Sequence, residues 1–480
     1  MNKGNRTHFD SVHYIYGFNP RPMKSTSLVS VFLLLFAFGA SAAINPPKRK
    51  NVLIILTVGQ RYNTIRALGN KDIFTPAMDK LVQAGTVFTN VYNAGSSTDK
   101  PGITGRTMLM TGKSVFNTVS GGDNIPVTVK TYPQAFREAG YHTFATGRWH
   151  GDKASFNRSF ESGENIFFGT THTSHFTPEL HHYDSSGLYR EPFIGQKFSS
   201  GYFADAAVAY LKNYRNTKPF LMYVAFTSPQ GPHTPPQDYG FRYDPAHLSI
   251  PPGFDVTDAA GNRLSEAEIR KDVANYYAMV SEVDHQINRI IEALKASGHY
   301  ENTIIVLAGD NGMVVGENGT LGETLLTEYN YHVPVVIAGP GIPAGRKSPN
   351  YCYLHDLFPT LCALTGVKPL LNTEGRSQAP AFAKIPFKGR LHLFGASGAY
   401  QRSLIKDGYK LVVTNSASGT QTALYDLKND PWEQNNLADK PVHAKRVALL
   451  RRTLEAEMVA QRDFCNLKKK DWGVVLTAEK

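Results

Sequence analysis

Val52-Leu53-Ile54-Ile55-Leu56 is an unbroken apolar run, and a run of that kind has few structural homes. It is far shorter than the roughly 20 apolar residues of a membrane-spanning helix. A strand buried on both faces accounts for it, and such strands belong to parallel sheets covered by helices on each side. Thr75-Pro76 then opens a helix, with threonine as the expected cap and proline at the first helical position. Residues 141–145, 220–226, 303–308 and 333–338 are further strand candidates. Between them, Ile269, Val273, Tyr276, Tyr277, Val280, Val283, Ile287, Ile290, Ile291 and Leu294 step by threes and fours. That spacing predicts one long amphipathic helix. Strands alternating with helices imply an α/β fold, a mostly parallel sheet sandwiched by helices.

After about Arg390 the texture changes. Residues 403–405, 410–414 and 423–425 are short strands joined by turn residues, and residues 440–462 read as a closing helix. These features predict a small C-terminal antiparallel sheet plus helix. The expected organisation is a leader over 1–42, a main α/β domain over 43–389 and a small domain over 390–480. With 41% hydrophobic and 19% charged residues the chain is of ordinary globular composition, which excludes a disordered or fibrous class.

The leader expectation rests on a charged start at Met23-Lys24, an apolar run over 28–38 and Ala40-Ser41-Ala42, a small-x-small cleavage signal. A signal peptide implies export, periplasmic or extracellular, and no stable membrane span after cleavage. Met23 is the expected start, and the mature chain begins near Ala43. An exported chain can oxidise a cysteine pair, and Cys352 with Cys362 is the local choice among three cysteines. The net charge is +11, but the basic residues are scattered, with Lys468-Lys469-Lys470 as a run. No nucleic-acid partner is expected from such a distribution.

Several stretches carry a further signal. Asn51 to Leu56 is followed by Gly69-Asn70-Lys71-Asp72-Ile73-Phe74-Thr75-Pro76, then Gly85-Thr86-Val87-Phe88-Thr89-Asn90 and Arg106-Thr107-Met108-Leu109-Met110-Thr111-Gly112. Gly140-Tyr141-His142-Thr143 comes next, with Gly147-Arg148-Trp149-His150, then Asp310-Asn311-Gly312. Leu424-Tyr425-Asp426-Leu427, Asp430-Pro431 and Asn436-Leu437 close the series. In this order and at this spacing, over about residues 50–440, the chain resembles the sulfatase family of the alkaline-phosphatase-like superfamily.

The resemblance implies specific chemistry. A sulfatase converts the cysteine of a Cys-x-Pro-x-Arg context to formylglycine, whose hydrate attacks sulfur. Calcium held by oxygen ligands neutralises the sulfate, and Lys and His side chains stabilise the developing charge. Here the pattern breaks. Four residues before Arg106 stands Gly102, which has no side chain to oxidise, and Thr104 replaces the motif proline. No formylglycine is therefore expected. Val58-Gly59 stands where the family places paired aspartates, leaving Asp310 and Asn311 of the expected metal set. One carboxylate and one amide are a poor host for an ion that takes six to eight oxygens at about 2.3–2.6 Å.

Other matched positions have drifted. Arg148 replaces the lysine of the second signature, while Arg106 and His150 are kept. Gln230 occupies a usual histidine position, and Glu323 falls where the family has a lysine. With calcium gone, Arg106, Arg148 and His150 would leave two or three positive charges around the site. Three readings follow: a sulfatase fold that binds a sulfated small molecule or glycan with little or no turnover, a working sulfatase or phosphoesterase, or a structural scaffold. The working enzyme would need a substitute nucleophile among Ser96, Ser97, Thr98 and Thr104.

Overall fold

The computed structural model describes residues 48–98, 101–118, 124–169, 174–257, 262–322, 326–383, 387, 389–416 and 418–474, together with Gly17. The expected leader and cleavage signal lie outside the described residues, as does Glu323. Residues 49–480 form one compact unit.

The strands, in chain order, are β1 (Asn51–Val58), β2 (Gly85–Tyr92), β3 (Gly95–Ser96), β4 (His142–Arg148), β5 (Ser162–Phe167), β6 (Glu179–Tyr183), β7 (Phe193–Ile194), β8 (Phe220–Pro229) and β9 (Thr303–Gly309). A short hairpin, β10 (Val314–Val315) with β11 (Leu321–Gly322), precedes β12 (Val335–Ala338) and β13 (Arg346–Tyr353). The last four are β14 (Leu393–Ser397), β15 (Gln401–Lys406), β16 (Tyr409–Ser416) and β17 (Gly419–Asp426). Among the described residues, ten strands form one sheet in the order β13-β2-β12-β9-β1-β8-β4-β5-β6-β7. Its centre, β9-β1-β8-β4-β5, is parallel throughout, and antiparallel pairs enter on either side of it.

The apolar run at 52–56 explains this centre. Leu53 and Ile55 point to one face and meet the helices Ser199–Asn213 and Glu266–Ala296. Val52, Ile54 and Leu56 point to the other and meet the helices Tyr132–Glu138 and Leu357–Thr365. Alternate residues of a strand face opposite sides, so a strand covered on both faces must be apolar at every position. The long helix is the one the spacing predicts, opened by a capping box between Ser265 and Glu268.

The helix Pro76–Ala84 differs from expectation in its cap. Thr75 precedes it but its hydroxyl accepts from the Arg66 N–H at 2.9 Å instead. The carboxylate of Asp284, on the long helix, takes the N–H groups of Ala77 at 3.1 Å and Met78 at 2.8 Å. Cys352 and Cys362, the local choice for a disulfide, are not bonded, and all three cysteines are free, buried thiols.

The C-terminal strands β14 to β17 form an antiparallel sheet covered by the helix Ala444–Ala460, whose Leu450, Leu454 and Met458 are buried against it. This sheet is not built from the C-terminal segment alone. β3 adds to it in parallel beside β14, pairing Gly95 with Ala396. Gly95 has φ +80°, and a Cβ there would lie 1.9 Å from the Ala396 carbonyl oxygen, so only glycine permits this approach. The junction stands directly before the helix Pro101–Thr111.

Candidate functional site

The site lies at the C-terminal ends of the parallel strands β1, β4, β8 and β9, where α/β sheets place their ligands. β9 delivers Asp310 and Asn311, β4 delivers Arg148 and then His150, and β8 delivers Gln230. The helix Pro101–Thr111 carries Gly102 in its first turn and Arg106 in its second.

Arg106 Nε lies 2.8 Å from Asp310 Oδ2, with both side chains buried. The contact pairs opposite charges, yet no guanidinium nitrogen of Arg106 and neither carboxylate oxygen of Asp310 makes an aligned side-chain hydrogen bond. Burial pushes the Asp310 carboxyl upward, while Arg106 and then Arg148 pull it down. The two or three positive charges expected of Arg106, Arg148 and His150 are thus reduced. Asp310 offsets one. Burial holds His150 neutral by lowering its pKa well below the usual imidazole range, and the nearby Arg106 and Arg148 add to that. The His150 Nδ1 has no hydrogen-bond partner.

Arg148, buried at the end of β4, donates from Nη1 to Gln230 Oε1 at 2.5 Å and from Nε to the Gly169 carbonyl at 3.2 Å. The Gln230 backbone carbonyl in turn accepts from His175 Nε2 at 2.9 Å. Burial lowers the His175 pKa to about 4, so this ring is neutral as well. Glutamine at 230 is therefore a clamp on Arg148, with its own backbone held from behind.

Calcium does not fit these residues. Val58 closes β1, and Gly59 follows with φ +73°. Its carbonyl accepts from the Tyr276 hydroxyl at 2.7 Å, and a Cβ at this position would press to 3.1 Å from the Gln230 Cα. Asn311 Oδ1 takes a hydrogen bond from Asn93 Nδ2 at 2.6 Å, and its Nδ2 donates to the Gly312 carbonyl at 2.8 Å. The Asp310 carboxylate faces an arginine. Among the described residues no group of three or more His, Cys, Asp or Glu side chains is arranged to hold a metal.

Of the sequence-derived site residues, the structure groups Arg106, Arg148, His150, Gln230, Asp310 and Asn311, with Gly102 in the adjoining helix turn. Two further residues had no sequence signal: Asn93, which locks Asn311, and His175. A histidine in a loop and an asparagine after a strand look ordinary until the fold buries them. Among the candidate substitute nucleophiles, the Ser96 and Thr104 hydroxyls hydrogen-bond each other at 2.8 Å.

Comparison with known proteins agrees with this architecture. The family model described as Sulfatase matches residues 50–367. A sulfatase of Formosa agariphila is 25% identical over 445 residues, covering 85% of this chain and 86% of the relative. An arylsulfatase of Clostridium perfringens is 22% identical over 469 residues, covering 86% and 95%. Among solved structures, the phosphonate monoester hydrolase of Agrobacterium radiobacter superposes with TM-score 0.70 at 21% identity, over 86% of this chain and 96% of that one. A protein solved with its substrate D-glucosamine-2-N,6-O-disulfate superposes with TM-score 0.74 at 20% identity, over 88% and 100%. The family model covers well over half of the chain, including the segments that carry Arg106, Arg148 and Asp310, and the chain belongs to the sulfatase family.

Proposed function

We propose that this chain is an exported member of the sulfatase family that holds the sulfate group of a saccharide without hydrolysing it. The observation that carries the reading is Arg106. Its guanidinium is buried beside Asp310 with none of its nitrogens in an aligned hydrogen bond, and His150 Nδ1 nearby is also without a partner. Buried donors left unsatisfied cost about 1–3 kcal/mol each. A sulfate-ester oxygen entering beside Arg106 supplies the missing acceptor. The lack of hydrolysis follows from Gly102, which offers no atom to attack sulfur, and from the absent aspartates at Val58 and Gly59. Binding and electrostatics alone leave about 10³–10⁴-fold acceleration over water when a nucleophile is lost, which is negligible for an unreactive sulfate ester.

The saccharide class follows from relatives: an N-acetylglucosamine-6-O-sulfatase of Bacteroides thetaiotaomicron is 23% identical over 527 residues. Export follows from the leader at residues 23–42. Calorimetry with glucosamine 6-sulfate oligosaccharides, run beside an aryl-sulfate hydrolysis assay, tests the reading. Binding without hydrolysis supports it. Hydrolysis above background refutes it, and absence of binding leaves the scaffold role.

A further inference from the structure

A concavity whose lining includes none of Arg106, Arg148, His150 and Asp310 opens between the loops after β1 and the C-terminal sheet. It is a cleft of about 840 Å³, at the upper end of the roughly 300–1,000 Å³ of small-molecule sites. We propose that it binds the sugar rings of a neutral oligosaccharide stretch, independently of any sulfate held at Arg106.

Three observations converge. The first is aromatic surface. Tyr62, Tyr329 and Trp432 line the cleft. Trp432 stacks on Tyr329 at 5.2 Å with 13° between the planes, yet 39% of the tryptophan stays exposed. A large aromatic held rigidly but left open to solvent is a ready platform for the apolar face of a pyranose ring. Tyr62 is likewise fixed, stacked on His332 at 4.2 Å.

The second is unmet hydrogen bonding. Arg61 Nε and Asn63 Oδ1, both belonging to residues of the cleft wall, are buried atoms without a partner. Arg61 cannot relax to meet water, because its Nη1 is paired with Glu317 and its guanidinium lies over the rings of Tyr276 at 5.0 Å and Tyr329 at 5.4 Å. One orphan donor and one orphan acceptor suit a hydroxyl, which both accepts and donates.

The third is charge. Arg61, Lys71 and Lys428 line the cleft against Asp72, Glu317 and Glu328, mixed signs rather than a cationic cluster. A phosphate or sulfate has no concentrated partner there, and a purely apolar ligand would leave the orphan atoms dry. A polyhydroxylated ring with one apolar face meets all three conditions.

The cleft is rigid underneath. Tyr92 donates to Glu328 Oε2 at 2.9 Å, Glu328 Oε1 accepts from Lys410 at 3.0 Å, and Lys410 bridges to Glu433 at 2.8 Å. Lys410 is fully buried, so this network ties the C-terminal sheet to the cleft floor.

Tryptophan emission reads the site directly. Trp149 and Trp472 are buried, and Trp432 is the exposed third of three. Neutral hexasaccharides of glucose, of galactose, of N-acetylglucosamine and of desulfated chondroitin are titrated against the full protein, by fluorescence and by calorimetry. The expected result is a saturable emission change with at least one of them. Its calorimetric affinity should fall about tenfold in Trp432→Ala, the equivalent of about 1.4 kcal/mol of lost stacking, and several-fold in Asn63→Ala. Saturating inorganic sulfate should leave it unchanged. Silence with all four sugars, binding indifferent to both substitutions, or displacement by sulfate overturns the proposal. Displacement would place the sugar at Arg106 instead, and so separates this inference from the sulfate-binding reading.

Discussion

Arg106 Nε, from the helix Pro101–Thr111, stands 2.8 Å from Oδ2 of Asp310, the residue that follows β9. Two buried charges that would each be costly alone meet in a contact lacking aligned hydrogen bonds. Val58 and Gly59 supply no carboxylate, and in this arrangement an internal cation faces Asp310.

The pairing predicts strong coupling. Arg106→Met and Asp310→Asn each leave an unpaired or unsatisfied buried group and should cost about 3–5 kcal/mol. The double substitution should cost clearly less than their sum. Urea unfolding of the four proteins in a cycle measures the coupling, and strict additivity would show the contact to be idle.

Calcium should not stabilise the protein. An ion present at about 100 times its dissociation constant adds roughly 2.7 kcal/mol, which a melting curve resolves easily. Millimolar calcium is expected to leave the midpoint unmoved. Gly59→Asp should not restore affinity, because its φ of +73° and a Cβ 3.1 Å from the Gln230 Cα make the side chain strained before it can ligate. That variant should be about 1–3 kcal/mol less stable.

Peptide mass spectrometry across residues 98–106 should return the unmodified mass, since Gly102 offers no thiol to oxidise. Gly102→Cys with Thr104→Pro rebuilds the maturation context but not the aspartates at 58 and 59. Its aryl-sulfate hydrolysis should stay at background even where an aldehyde is detected.

Glu282 makes stability depend on pH. It is buried on the long helix, accepts from Gln286 Nε2 at 2.7 Å, and burial raises its pKa to about 7. A carboxyl raised in the folded state contributes stability that is full below its unfolded pKa and lost as pH rises through the folded value. Glu282→Gln should therefore match wild type near pH 4 and gain on it up to about pH 7. The gain should level off at about 3 kcal/mol, since each pKa unit is worth about 1.36 kcal/mol. A gain independent of pH would point to hydrogen bonding rather than ionisation.

Sulfate binding at Arg106 should be flat between pH 6 and 8. His150, which lies near Arg106, is held neutral well below its ordinary range by burial. A calorimetric affinity rising severalfold toward pH 6 would mean that His150 gains a proton with the anion.

Local patterns were enough for the frame. The apolar run at 52–56 had to be a doubly covered strand, and the three-and-four spacing from Ile269 to Leu294 had to be a helix. That residue 102 is a glycine without a thiol, and that residues 58 and 59 carry no carboxylate, is read from the sequence alone. What tertiary structure decided were relations between distant segments. Asp284 rather than Thr75 caps the helix at Pro76, Asn93 locks Asn311, Asp310 engages Arg106, and β3 joins a sheet otherwise built from the C-terminal end. Burial decided the charges too, since His150 and Glu282 carry ordinary values in an unfolded chain and shift once water is removed. Sequence periodicity reports which face of an element is apolar, but charge pairing and desolvation depend on what the fold brings to within a few ångströms.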